Sequence, residues 1–171
     1  EDLLQKLTQI NTGGAFNYSV VVADNDDKES ARETVTRVSK TYPVPLKYCT
    51  EPRRSISHVR NKTIAESQGD AIAFIDDDEF PDPDWLLNLV KAWKQYNVAG
   101  VLGPVRPYFP PEAPKWVEKS RLFDRPEYQT GYKLSWQETR TGNVVFDKKI
   151  VEGMDPIFLP QFGSGGGDQD F

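Results

Sequence analysis

Two short apolar runs that each end in aspartate constrain this chain more than any other feature. Residues 18–23 read YSVVVA and are followed by Asp24, whereas residues 71–75 read AIAFI. The second run is followed by three consecutive aspartates, Asp76, Asp77 and Asp78. Continuous apolar runs of this length are typical of strands buried on both faces of a parallel sheet. The sequence therefore predicts two core strands with carboxylates directly beyond their ends.

Helical patterns alternate with the strand patterns. Apolar residues recur at helical spacing in residues 1–10, 28–42 and 55–68. Gly69 ends the third of these patterns. Residues 46–49 form another short strand pattern. Strand, helix, strand, helix, strand is the order of a doubly wound α/β sheet. Ligands bind beyond the carboxyl ends of the strands in such sheets. A length of 171 residues predicts one domain.

The aspartates after residue 75 need two explanations. Asp82 is a favoured helix N-cap, Pro83 suits the first helical position, and residues 85–93 supply an apolar helix face. Capping does not explain Asp76 to Asp78, because adjacent carboxylates repel each other unless a cation or hydrogen-bond donors offset the charge. Carboxylates together with diphosphate oxygens suit Mg²⁺ or Mn²⁺. A solvated acidic turn is the alternative.

Composition excludes several classes of function. The net charge of −5 disfavours a nucleic-acid partner, because phosphate backbones are repelled. The single cysteine, Cys49, cannot form an internal disulfide and fits a reducing, cytoplasmic compartment. His58 is the only histidine and has no partner spaced for zinc. No apolar run reaches the roughly 18 residues that predict a membrane span.

The central motifs resemble those of a known enzyme family. ISHVRNKTIAESQGD followed by AFIDDDEFPDPDWL is similar to the central segment of the family 2 glycosyltransferases of the GT-A fold. VVVADNDDKESA resembles the second strand of that family, TGNVVFDKKIV a later Gly-Asn strand, and GGGDQDF its acceptor-side acidic motif. The pattern is nearest to bacterial exopolysaccharide enzymes of the succinoglycan-biosynthesis type. The resemblance implies a Rossmann-like three-layer α/β/α fold with a mixed, mostly parallel sheet.

Two departures from the family pattern affect these expectations. The first strand of the family would precede Glu1, so we expect residues 1–171 to form a single GT-A domain that lacks this strand and the C-terminal part. In GGGDQDF the glutamate of the family falls on Gly167, which leaves Asp168 and Asp170 as the acids.

The resemblance implies donor-binding roles. Asp24 would accept a hydrogen bond from uracil, or it is a simple turn residue. Arg60 and Asn61 would lie near the nucleotide, or they are ordinary helix-surface residues. The aspartate triplet would bind the donor: Asp76 at the ribose, Asp77 as the variable middle residue and Asp78 as the direct metal ligand. Asp76 is the second candidate ligand for Mn²⁺ or Mg²⁺.

The resemblance also implies the chemistry on the acceptor side. Asp168 would be the general base that deprotonates the acceptor hydroxyl, with Asp170 as the second candidate. The alternative for both is a polar tail after a glycine-rich linker. Residues 105–139 are rich in proline and aromatics with weak periodicity. They predict an acceptor-side excursion whose aromatic side chains stack on sugars or anchor loops.

The predicted function is an inverting, metal-dependent transfer of a sugar from a nucleotide diphosphate donor, a UDP-sugar, in polysaccharide biosynthesis. The acceptor would be a saccharide or a lipid-linked saccharide, so we expect a cytoplasmic location with peripheral association at the inner face of the cell membrane. A sugar nucleotidyltransferase and a non-catalytic nucleotide-sugar or carbohydrate-binding module are the alternatives.

Overall fold

The computed structural model describes residues 1–163, and the predicted catalytic residues Asp168 and Asp170 lie outside the described residues. The described strands, in chain order, are β1 Val20–Asp24, β2 Leu46–Thr50, β3 Ala71–Phe74, β4 Gly100–Leu102 and β5 Val144–Asp147. The α-helices are α1 Asp2–Leu7, α2 Arg32–Ser39, α3 Ile56–Glu66, α4 Trp85–Tyr96 and α5 Lys115–Ser120. Each helix and strand predicted up to residue 96 is present, although most are shorter than the sequence pattern.

The strands pair in two groups. β1 and β2 are parallel, with Val20 opposite Leu46 and Asp24 opposite Thr50. β5 lies between β3 and β4 and is antiparallel to both. The α/β class is thus as predicted, but the parallel pairing among described strands is confined to β1 and β2. Local patterns do not reveal the insertion of β5, because its partners are distant in the sequence.

The end of α3 and the start of α4 are two of the helix boundaries that differ from the predicted ones. α3 begins after Ser55, whose side chain accepts a hydrogen bond from the His58 amide, and it ends at Glu66, with Ser67 as the C-cap, before reaching Gly69. α4 has Asp84 at the N-cap position, so the predicted cap at Asp82 is wrong. The Asp82 carbonyl instead accepts a hydrogen bond of 2.9 Å from the Trp85 amide, which forms a turn before the helix.

Two apolar clusters form the described core. The first joins α3 to the β3-β5-β4 sheet and contains Ile64, Ile72, Val144, Phe146, Val151 and Phe158. The second packs α1 against α4 through Leu7, Ile10, Leu86 and Val90. Partly buried Phe74 of β3 packs against the first cluster, and Val20 of β1 packs against the second. β1 and β3, which lead to Asp24 and Asp76, are therefore both attached to the core.

Residues 105–139 form an excursion with little regular structure besides α5 and the 3₁₀ turn Trp136–Glu138. Most large apolar side chains here are exposed: Tyr108, Trp116, Leu122, Phe123, Tyr128, Tyr132 and Trp136. The Phe80 ring meets Tyr108 edge to face at 6.2 Å, which joins the excursion to the segment after Asp78. Within residues 1–163, none of the helices has the length and apolarity that crossing a bilayer requires.

Candidate functional site

Asp24 ends β1 and is buried. Its Oδ1 accepts a hydrogen bond from the Asp26 amide at 3.0 Å, and its Oδ2 accepts one from the Ala31 amide at 2.9 Å. The Tyr48 hydroxyl donates a third bond to Oδ2 at 2.9 Å. Asp24 therefore shapes the turn between β1 and α2, as the simple turn interpretation expects. A carboxylate has about four acceptor positions, so these three bonds leave one position open among the described residues.

Tyr48 orients Asp24 from the neighbouring strand. Burial, together with the hydrogen bond to the Asp24 carboxylate, raises the pKa of Tyr48 to about 12. The Arg32 guanidinium lies 5.1 Å from the centre of the Tyr48 ring. Because the phenol stays protonated at neutral pH, it remains a donor that fixes the direction of the Asp24 carboxylate.

The aspartate triplet leaves the end of β3 and is exposed to solvent along its whole length. The Asp76 carbonyl accepts a hydrogen bond from the Glu79 amide at 3.1 Å, which turns the chain back towards α4. Burial, followed by repulsion from Asp76, raises the pKa of Glu79. Residues 76–79, the acidic loop, therefore present carboxylate oxygens at the edge of the sheet, as the sequence predicts.

A short segment before β5 lies directly against this loop. A Cβ atom placed on Gly142 would be 2.9 Å from Asp76 Oδ2 and 3.5 Å from Glu79 Oε1. The neighbouring Asn143 is buried, with a backbone φ of 55°. Its Oδ1 accepts a hydrogen bond of 2.6 Å from Trp85 Nε1, and its Nδ2 donates one of 2.8 Å to the Pro104 carbonyl. Asn143 thereby joins α4, β5 and the segment after β4.

An open depression of about 420 Å³ lies at the start of α3 and includes Arg53, Arg54 and His58 in its lining. Arg53 pairs with Glu51, and Arg54 pairs with Asp27. The Ile56 amide donates a hydrogen bond of 3.0 Å to the carbonyl of Gly163, the last described residue. The described chain therefore ends beside the first turn of α3.

Arg60 and Asn61 contact the segment that precedes this end. The Asn61 side chain donates to the Phe158 carbonyl and accepts from the Phe158 amide, both at 2.8 Å. The Arg60 guanidinium lies 5.5 Å from the centre of the Phe158 ring. The described contacts of Asn61 thus serve to hold residues 157–159 against α3.

The acidic loop has suitable atoms for a hard divalent cation. Within residues 1–163, no three His, Cys, Asp or Glu side chains are grouped so that they could hold a metal ion on their own. Asp76 and Asp78 nevertheless supply carboxylate oxygens, and Mg²⁺ commonly uses one or two carboxylates together with substrate phosphates. The donor set therefore fits a cation shared with a diphosphate.

Sequence reasoning missed Tyr48, Gly142 and Asn143 as contributors to the site. The TGN triplet before β5 carried a signal, because asparagine is enriched at positive φ and glycine allows close approach. Their partners could not be predicted, since Asn143 meets Trp85 across a separation of 58 residues.

Solved structures show the class of fold. S. aureus TarS 1–349 in complex with UDP matches with a TM-score of 0.68 over 98% of this chain and 48% of that chain, at 16% identity. Its complex with UDP-GlcNAc matches with a TM-score of 0.67 over 98% of this chain and 46% of that chain, also at 16% identity. Similarity at this level of identity concerns the fold alone, and it confirms the predicted GT-A class.

Sequence comparison gives the family. Residues 1–152 match the model of glycosyl transferase family 2. The succinoglycan biosynthesis protein ExoM of Rhizobium meliloti (strain 1021) is 33% identical over 177 residues, which cover 99% of this chain and 55% of that protein. The glucosyl-dolichyl phosphate glucuronosyltransferase of Haloferax volcanii is 32% identical over 113 residues, 60% of this chain and 34% of that protein.

The chain belongs to glycosyltransferase family 2. It spans about half the length of ExoM and a third of the length of the Haloferax protein.

Proposed function

We propose that this chain binds a UDP-sugar and takes part in its transfer, with inversion, to a saccharide or lipid-linked saccharide acceptor in polysaccharide biosynthesis. The observation that carries the proposal is the position of Asp76, Asp77 and Asp78, which are exposed on the sheet edge directly beyond β3. Family membership and the names of the relatives support it. TarS binds UDP and UDP-GlcNAc on a similar fold, which favours a uridine donor.

The proposed donor site uses four carboxylates. Asp24 accepts the uracil N–H with its remaining acceptor position, Asp76 lies at the ribose, and Asp78 faces the diphosphate with Asp77 beside it. A divalent Mn²⁺ or Mg²⁺ ion held by Asp78 and Asp76 would supply positive charge to stabilise the departing diphosphate. Arg60 offers a charge-assisted hydrogen bond to phosphate, whereas Asn61 positions the Phe158 segment beneath it.

The proposed base is Asp168, with Asp170 as the second candidate. An ionised carboxylate within hydrogen-bond reach of the acceptor hydroxyl removes its proton while the oxygen attacks the anomeric carbon. The position of Gly163 beside the first turn of α3 supports this assignment, because α3 follows the carboxyl end of β2 and ligands bind beyond such ends.

The proposed acceptor surface is the exposed aromatic part of residues 105–139. Its attachment to Phe80 through Tyr108 supports this role, because Phe80 follows the acidic loop. Aromatic rings stack on the apolar faces of sugars, and the hydroxyl groups of tyrosines among them donate hydrogen bonds. The proposed location is the cytoplasm, with peripheral association at the inner face of the membrane, where a lipid-linked acceptor is reached.

Calorimetry of UDP binding with and without Mn²⁺ tests the donor site. We expect Mn²⁺ to increase the affinity for UDP. Asp78→Asn should reduce this Mn²⁺-dependent increase at least about tenfold, because a metal ligand loses its charge. Asp70→Asn, at the exposed aspartate immediately before β3, is the matched control and should retain it. Equal UDP affinity in wild type with and without Mn²⁺ would contradict the proposal.

Turnover assays with a panel of UDP-sugars test the base. Asp168→Asn should bind UDP normally but lower turnover by about two to four orders of magnitude, as loss of general-base catalysis requires. An active variant would move the role to Asp170. Release of pyrophosphate from a nucleoside triphosphate would indicate a nucleotidyltransferase, and binding without turnover a non-catalytic module.

A further inference from the structure

The absence of a side chain at residue 142 leaves space that the acidic loop occupies. β3 and β5 are antiparallel, with Phe74 opposite Val144. Continuing this register by two residues places Asp76 opposite Gly142, and the two are in contact there. A Cβ atom on Gly142 would lie 2.9 Å from Asp76 Oδ2, which is closer than real Cβ contacts.

Conformation does not require glycine at this position. The φ angle of Gly142 lies outside the positive range that L side chains rarely adopt, unlike that of Gly131 or Gly153. Alanine can adopt this φ, so glycine is required here because of the atoms that a side chain would meet. The three atoms nearest to such a Cβ all belong to the carboxylate groups of Asp76 and Glu79.

The segment that carries Gly142 is held on the opposite side. Asn143 is buried and joined to Trp85 Nε1 at 2.6 Å and to the Pro104 carbonyl at 2.8 Å. Gly103 also packs against the Asn143 amide, where a Cβ would come within 2.6 Å of Oδ1. Because Asn143 cannot retreat without breaking these contacts, a methyl group on residue 142 must displace the Asp76 carboxylate, which is exposed to solvent.

We infer that Gly142 is a positioning residue for donor binding: it sets where the Asp76 carboxylate stands at the edge of the sheet. This inference rests on the proposed function. Asp76 touches the donor in that function, whereas Gly142 acts only through Asp76. The fold tolerates a methyl group at residue 142, but the carboxylate geometry does not.

Gly142→Ala tests the inference by UDP calorimetry in the presence of MnCl₂ and by urea unfolding of the same samples. We expect UDP affinity to fall about tenfold or more, because small displacements of positioned groups are costly, while the urea midpoint stays unchanged. Gly69→Ala, a glycine before β3 at the opposite end of that strand, is the matched control and should bind UDP as wild type does.

A double-mutant cycle separates action through Asp76 from any other effect. In an Asp76→Ala background, adding Gly142→Ala should cause no further loss of UDP affinity, because the group it displaces is gone. Wild-type affinity in Gly142→Ala, an equal loss in both backgrounds, or a lowered urea midpoint would each overturn the inference. Absence of UDP binding in the wild-type chain would instead overturn the proposed function.

Discussion

At the scale of single residues, two serines at the start of α3 have opposite surroundings. Ser55 is the N-cap, and its side chain accepts a hydrogen bond from the His58 amide. Ser57 is almost completely buried, yet its Oγ has no hydrogen-bond partner among residues 1–163. A buried hydroxyl without a partner destabilises the folded state, whereas an N-cap hydroxyl that accepts a hydrogen bond stabilises it.

Alanine should therefore change stability in opposite directions at these two serines. Ser57→Ala is expected to raise the free energy of unfolding by about 1 kcal/mol, because it removes a buried, unsatisfied hydroxyl from the first turn of α3. Ser55→Ala should lower it by about 1 kcal/mol. Urea unfolding of both variants measures this, and destabilisation by Ser57→Ala would contradict the expectation.

Glu51 makes folding stability depend on pH. Hydrogen bonds from the Arg53 side chain, at 2.7 Å to each carboxylate oxygen, lower the pKa of Glu51 from 4.5 to about 2. The unfolded chain binds the proton more readily, so this stabilisation is complete above the unfolded pKa and is lost as the pH falls towards 2. We expect Glu51→Gln to weaken the acid sensitivity of the urea midpoint between pH 5 and 2. An unchanged pH profile in the variant would refute this account.

At the scale of elements, Asn143 joins three pieces of the fold. Asn143→Ala would leave Trp85 Nε1 and the Pro104 carbonyl without their partners and would place alanine at a positive φ. We expect a loss of about 1–3 kcal/mol in the free energy of unfolding, since two part-buried hydrogen bonds are lost and each contributes about 0.5–1.5 kcal/mol. Asn143→Gly should cost somewhat less, because glycine adopts this φ without strain. If urea unfolding shows that Asn143→Gly loses as much stability as Asn143→Ala, or more, then backbone strain contributes nothing to the difference.

The elements that sequence patterns predict well are those whose signal is local. The apolar runs that became β1 and β3 and the helical spacing of α3 and α4 all specify their own conformation, so their presence was predicted. Their ends depend on competing turn interactions, and Asp84 rather than Asp82 precedes α4 for that reason.

The same distinction applies to the site. The positions of Asp24 at the end of β1 and of Asp76 beyond β3 follow from the local pattern. The contact between Gly142 and Asp76 depends on the antiparallel insertion of β5, and the hydrogen bonds of Asn61 depend on Phe158, 97 residues away. Such contacts depend on the assembled packing, which neither periodicity nor turn propensity encodes.

At the scale of the whole molecule, the exposed apolar side chains are concentrated on residues 105–139. Trp116 is 69% exposed and Phe123 is 53% exposed, whereas the residues of the two apolar core clusters are buried. This distribution separates a proposed donor side, made of carboxylates, from a proposed acceptor side, made of aromatic rings. Exposed apolar surface of this kind marks interaction sites.

A double substitution tests this division. Trp116→Ala combined with Phe123→Ala should raise the acceptor KM about tenfold or more through lost stacking, while UDP affinity stays at the wild-type value. Steady-state kinetics over a series of saccharide and lipid-linked acceptors, paired with UDP calorimetry, would measure both. Val98→Ala, at an exposed apolar residue outside the excursion, is the control. A parallel loss of UDP affinity would argue against separate surfaces.

The strand order β3-β5-β4 has a consequence for the order of events during synthesis. β3 and β4 leave the ribosome first but do not pair with each other, because the strand between them is made later. The three-stranded sheet therefore closes only after residue 147 has emerged, and Gly142 reaches the acidic loop in that same step. Until then β3 and the aspartates that follow it have no paired neighbour in this sheet, so the proposed donor site is assembled only once β5 has been made.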